Sequence, residues 1–324
     1  MSALRRAAHQ QRSFITTVDH GLDLGYIDRQ DTTAVEVEAR IIEGNSSALQ
    51  AIPVRASEAS GFTHFLDGIQ RAEVRLYHGP IPIVYAYAAA VVRKRVDRRL
   101  VHSGDLLEER EALFFPFRLL DPDELGAAGI TREHMVDSSP AAGEPLPLFP
   151  PTLYAHAAQA VNRWREGIER NVSRRWLDGA KPEDWLLADG TLTNSPELAS
   201  SLRAVGLIKS HRTRFFDGDN ARLLLGLGAG ERTSVFEPQT RRWTPVHSWY
   251  LRLRDPHGHD VFWGLVRVEI TASAHSAESA DRISSWLLAE LAPLALPAAQ
   301  WDRLLYPIHD CQQFLRARAP SLHG

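Results

Sequence analysis

Between Trp185 and Leu192 the chain reads Trp-Leu-Leu-Ala-Asp-Gly-Thr-Leu. Four apolar residues, Trp185 to Ala188, form a run too short for a core helix and suited to a buried strand. Asp189 follows at once, and Gly190 offers a turn. A carboxylate at the end of a buried strand needs a donor, a cation or water, because burying it unpaired is costly. An earlier stretch, Phe62-Thr63-His64-Phe65-Leu66-Asp67-Gly68, repeats the pattern. Asp-Gly is also a common turn pair, and it recurs at Asp178-Gly179 and Asp217-Gly218. The two pairs that end apolar strands bracket the strongest helix signal in the chain. Ala157, Val161, Trp164, Ile168, Val172 and Trp176 make one apolar stripe over Thr152–Trp176. Thr152 is placed to cap that helix, with Gly179 and Pro182 beyond its end.

The remaining segments read as follows. Phe62–Asp67, Ala72–Tyr77 and Pro82–Val92 are short strands, with a turn at His78-Gly79-Pro80, and together make an antiparallel meander. Residues 120–151 are rich in Pro, Gly, Asp and Glu and read as an insertion. Pro196–Arg203 is a short helix and Val205–Ile208 a strand. Ala221–Leu227, Arg242–Arg254 and Val261–Ile270 are β, and Ala277–Leu291 and Gln300–Arg316 are helices. Ala34–Ile42 alternates weakly as an edge strand, and a helix over Thr33–Glu43 fits as well. This order is α/β with a mixed sheet, flanking helices and extra β-rich and N-terminal elements. A meander followed by β/α units matches a ribonuclease-H-like core. Residues 1–58 read as an N-terminal extension and 59–320 as the main domain.

Composition excludes several classes. With 44% hydrophobic residues among 324, the chain can bury a large core. Its net charge of −3 gives no global basic field, so a nucleic acid would have to be held by local patches. The single cysteine, Cys311, rules out an internal disulfide and a zinc-thiolate cluster, and fits a reducing cytoplasm. No apolar run reaches the ~20 residues that span a bilayer, and the start Met-Ser-Ala-Leu-Arg-Arg lacks the apolar core of a signal peptide. There is no Gly-x-x-x-x-Gly-Lys loop, so ATP chemistry would belong to a partner. Gly226–Gly230 reads as a turn. His257-Gly258-His259-Asp260 reads as a hairpin loop before it reads as a metal site.

Five landmarks, in order, resemble the NurA nucleases, partners of the HerA hexameric DNA translocase. They are Phe65-Leu66-Asp67-Gly68-Ile69, Leu187-Ala188-Asp189-Gly190-Thr191-Leu192, Val205-Gly206-Leu207-Ile208-Lys209, Arg267-Val268-Glu269 and Tyr306-Pro307. Two depart from the family pattern. Ile69 stands where the family has Ser, and His309 and Asp310 follow Pro307 sooner than the family's metal ligand does. The resemblance implies a DNA nuclease cutting single strands and working from 5′ to 3′ at ends. It further implies two Mn²⁺ or Mg²⁺ ions, a homodimer, a HerA-like ATPase partner, and work in end resection or defence against phage. It assigns Asp67 and Asp189 as metal ligands, with Glu169 or Glu166 from the preceding helix, and His309 or Asp310 at the second ion. Lys209 would meet the scissile phosphate. Arg93, Lys94, Arg95, Arg174, Arg175, Arg212 and Arg214 are the local basic groups able to track DNA, although basic runs are commonly just solvated surface. The departures leave a second reading open: a catalytically weak adaptor that regulates the motor.

Overall fold

A computed structural model describes residues 15–17, 35–44, 47–126, 129–239, 244–273, 275–296 and 300–321. The fold is mixed α/β. Its centre is three long antiparallel strands, β1 (His64–His78), β2 (Ile81–Val96) and β3 (Arg99–Phe115). β4 (Leu186–Asp189) runs parallel to the start of β1, with Phe65 opposite Leu187 and Leu66 opposite Ala188. β5 (Ala204–Ile208) runs parallel to β4, and the sheet continues antiparallel through β7 (Leu265–Thr271) to β6 (Val246–Arg252). Ala39–Ile41 and Ala51–Pro53 join beyond β6 through Phe236–Pro238 and Glu231–Thr233.

Several expectations need correction. Phe62–Asp67 and Ala72–Tyr77 are not two strands. From His64 on, both lie on β1, which passes through Asp67-Gly68 without turning. The third strand of the meander is β3, whose middle, Glu108-Glu109-Arg110-Glu111, is too charged to announce itself. Alternation sends Glu108 to Arg175 on one face and Glu109 to Arg318 on the other, so ion pairs replace apolar packing there. Residues 221–227 are not a strand but lie at the end of the helix Gly218–Leu225, a short apolar run whose period is ambiguous. The 120–151 stretch docks on the sheet edge, where Met135–Asp137 pairs parallel with β3. Residues 35–41 form short strands rather than a helix. The expected strand Arg242–Arg254 begins outside the described residues and is observed as β6.

Helix α1 (Pro150–Gly179) covers one face of β1–β3. It is started by Pro150 and Pro151 after Phe149, not capped by Thr152. Ala86, Ala88 and Ala90 of β2 form the bed on which Val161, Ile168 and Val172 lie. The other face is covered by α2 (Ser276–Ala289) and α3 (Tyr306–Arg318). Trp249 anchors α2 by donating its indole N–H to Ser284 Oγ at 2.9 Å. Among the described residues, no helix is long and apolar enough to cross a membrane.

Candidate active site

Strand alternation decides where Asp67 points. Phe65 and Ile69 pack in the cluster that contains α3, while Leu66 packs with α1. Asp67 therefore faces the α3 side, opposite Val91 of β2. It is only 4% exposed. Its Oδ1 accepts the Gly68 N–H at 2.7 Å, and its Oδ2 has no hydrogen-bond partner. Gly68 belongs to the α1 side, and a Cβ there would collide with the Glu169 carboxylate. Glycine is required at 68 for close approach, not for a turn.

Asp189 closes β4, and its glycine has the other cause: Gly190 takes φ +109°, a conformation that L side chains rarely adopt. The parallel pairing of β4 with β1 and β5 brings Asp189 beside Asp67 and Lys209. Lys209 Nζ donates to Asp189 Oδ2 at 2.6 Å, with its side chain 12% exposed. Lys209 is therefore not a surface lysine with a wet head. Arg303 fixes the backbone there by donating to the Lys209 carbonyl at 3.0 Å.

On the α1 side, Glu169 is paired with Arg165 one turn earlier. Arg165 Nε also donates to Gln70 Oε1 at 3.1 Å, and Gln70 donates to Asn162 Oδ1 at 2.5 Å. This polar row holds Glu169 over Gly68. Glu166 acts on Glu169 through its charge.

The carboxylates feel one another. Burial raises Asp67 well above the usual carboxylate range, Asp189 and Glu169 push it further up, and Lys209 pulls it back. Burial likewise lifts Glu169 to about 7, against Arg165 and with help from Asp189 and Glu166. A positive charge beside Asp67 would favour its ionised form. Oxygen donors of this kind suit a hard cation such as Mg²⁺ or Mn²⁺, and the unpartnered Asp67 Oδ2 is where the set is incomplete. Among the described residues, however, no three His, Cys, Asp or Glu side chains are gathered around one point.

The pair after Pro307 splits. His309, 7% exposed, has a buried Nδ1 with no partner. Burial lowers its pKa, Arg316 and Lys209 lower it further, and Asp310 opposes them. Asp310 instead accepts from Arg93.

Most of the basic residues singled out are already in ion pairs. Arg93 serves Asp310 and the Leu100 carbonyl. Arg95 is bidentate on Glu290 at 2.7 Å. Arg174 meets Glu197, Arg175 meets Glu108, and Arg214 meets Glu36 and Asp217. Arg212 and Lys94 are exposed. Arg98 and Arg99 lie exposed at the β2–β3 turn with no ion pair among the described residues. His259 stacks on Trp263 at 3.9 Å in the β6–β7 loop, as a hairpin loop residue.

The molecule is thus a mixed α/β protein with a buried acidic cluster at the junction of its parallel strands. No family model matches the chain, and no curated protein matches its sequence. Among solved structures it is similar to the crystal structure of the NurA nuclease from Sulfolobus solfataricus, at 10% identity over 82% of this chain and 81% of that one, with a TM-score of 0.46.

Proposed function

We propose that the chain is a divalent-metal-dependent nuclease that hydrolyses DNA phosphodiester bonds. One observation carries this reading: a nearly inaccessible aspartate, Asp67, keeps one carboxylate oxygen unbonded beside a second aspartate and a lysine. A fold without a use for that charge would replace it with an apolar residue, since the uncompensated anion costs several kcal/mol. The resemblance of the five landmarks supports the same reading. Four lie on β1, β4, β5 and β7, which are consecutive neighbours in the sheet, and the fifth opens α3 across them. Glu269 faces away from the cluster; it accepts from Thr191 and the Leu192 N–H and braces the exit of β4.

Asp67 and Asp189 would hold the metal, which when bound supplies an activated water and charge relief for the leaving oxygen. Lys209 orients Asp189 and presents a cation to a phosphate. Arg165 and Gln70 fix Glu169 over β1. Lys94, Arg98 and Arg99 are exposed cations able to meet the DNA backbone. We further propose a homodimer working with a HerA-like ATPase in end resection or phage defence, by the resemblance, with 59–320 as the nuclease unit. The adaptor reading is favoured by a separate observation, the commitment of Asp310 to Arg93 and of Glu169 to Arg165.

The test is cleavage of end-labelled single-stranded DNA with Mn²⁺. Asp67→Ala and Asp189→Ala should each cut the rate by roughly a hundredfold or more, the scale of a lost electrostatic element. Cleavage that survives both changes overturns the site. A wild-type protein that never cuts, yet alters the ATPase rate of the hexamer, establishes the adaptor.

A further inference from the structure

How many cations the site takes follows from which carboxylates are free. Of the acidic residues that the resemblance nominates, the fold commits Glu169 and Asp310 to arginines. Glu169 approaches over Gly68 from the α1 side and is held by Arg165. Asp310 is held by Arg93. Asp67 and Asp189 remain on the α3 side. Between them, Asp67 Oδ2 is unbonded, and one oxygen of Asp189 carries the Lys209 ammonium at 2.6 Å. Lys209 also acts on Asp67 and on His309, whose buried Nδ1 is unpartnered. An octahedral Mg²⁺-type ion needs no more than one or two carboxylates, its other positions being filled by water or substrate phosphate. A pair of such ions needs further protein oxygens that this site has already spent on arginines. Lysine is a compact point charge, able to stand where a small cation would.

We propose that the site binds a single divalent cation through Asp67 and Asp189, and that the Lys209 ammonium takes the place of a second ion. The proposal rests on the nuclease reading for its purpose but not for its count. It departs from the two-ion expectation drawn from the family resemblance. It also gives Lys209 a defined role: it neutralises Asp189, so the metal-free site repels an incoming phosphate less than two bare carboxylates would.

The experiment counts ions. Mn²⁺ alone is titrated into the full chain and the free ion is read from its electron paramagnetic resonance signal. The expected result is one Mn²⁺ per chain, lost in Asp189→Asn. Lys209→Met should raise the count to two, or tighten the single site by about tenfold, the equivalent of one pKa unit of removed repulsion. Lys209→Arg should keep the wild-type count. Two bound ions in the wild type overturn the proposal, as does none, or a Lys209→Met variant that is folded by circular dichroism and binds as the wild type does. If Lys209→Met does not fold, the wild-type count and Lys209→Arg still decide. Mn²⁺-dependent cleavage with two bound ions would sink the single-ion site and leave the nuclease. One bound ion with no cleavage under any condition would do the reverse.

Discussion

At the scale of single residues, the candidate site shows one dipeptide doing two unrelated jobs. Gly190 is glycine because the backbone leaves β4 at positive φ. Gly68 is glycine because Glu169 occupies the space its Cβ would need. Letters alone cannot separate these, which is why Asp67-Gly68 read as a strand end while lying mid-strand. The difference is testable. Gly68→Ala should destabilise by about 1–3 kcal/mol through overpacking, visible as a lower thermal midpoint, and should weaken any activity that needs Glu169 in place. Asp67→Asn should do the opposite to stability. It removes a buried charge whose pKa burial and neighbouring carboxylates have already raised, so at pH 7 unfolding should become harder by about 1–3 kcal/mol, while the proposed DNA cleavage should be lost. A variant less stable than the wild type would contradict the electrostatic account of this cluster.

At the scale of elements, apolar periodicity found what is buried by apolar packing and missed what is buried by ion pairs. The stripe on α1, the run ending at Asp189 and the strand at β5 were legible because their partners are hydrophobic. β3 was not, since Glu108 and Glu109 are matched by arginines on helices distant in sequence. The β6–β7 loop packs on a half-buried polar group that follows β5. His211 stacks on Phe262 at 4.7 Å, and burial, with Arg303 nearby, lowers its pKa to about 4. It is neutral when folded and takes a proton on unfolding. Its contribution is therefore complete above its ordinary value of 6.5 and is lost as pH falls from there towards 4. Urea unfolding at pH 7 and pH 4.5 should show wild type losing roughly 1–3 kcal/mol more than His211→Phe over that interval. Equal losses would mean that the ring is protonated in the fold.

At the scale of the whole molecule, a buried cation ties residues 39–53 to α2. Arg232, 1% exposed, is bidentate on Glu43 at 2.7 and 2.8 Å and reaches Asp281 of α2 at 2.7 Å. Burial alone would raise Glu43, but Arg232 and the Val235 N–H outweigh it and hold it below its ordinary 4.5. The stability it adds is present above that value and lost as pH falls below it. Glu43→Gln should cost about 2–4 kcal/mol, because Arg232 then keeps only one charged partner, the exposed Asp281. Protection of amides in residues 39–53 against hydrogen exchange should fall with it, and unchanged protection would show that strand pairing suffices.

Cys311 has a use that its chemistry alone would not suggest. Its thiol lies against the carbonyl of Phe65, two positions before Asp67, with burial pushing its ionisation far up. No other sulfhydryl exists in the chain. An alkylating reagent can mark the protein only when α3 lifts from β1, so labelling kinetics would time that opening directly. Slower labelling on adding Mn²⁺ would mean that the ion clamps helix and strand together.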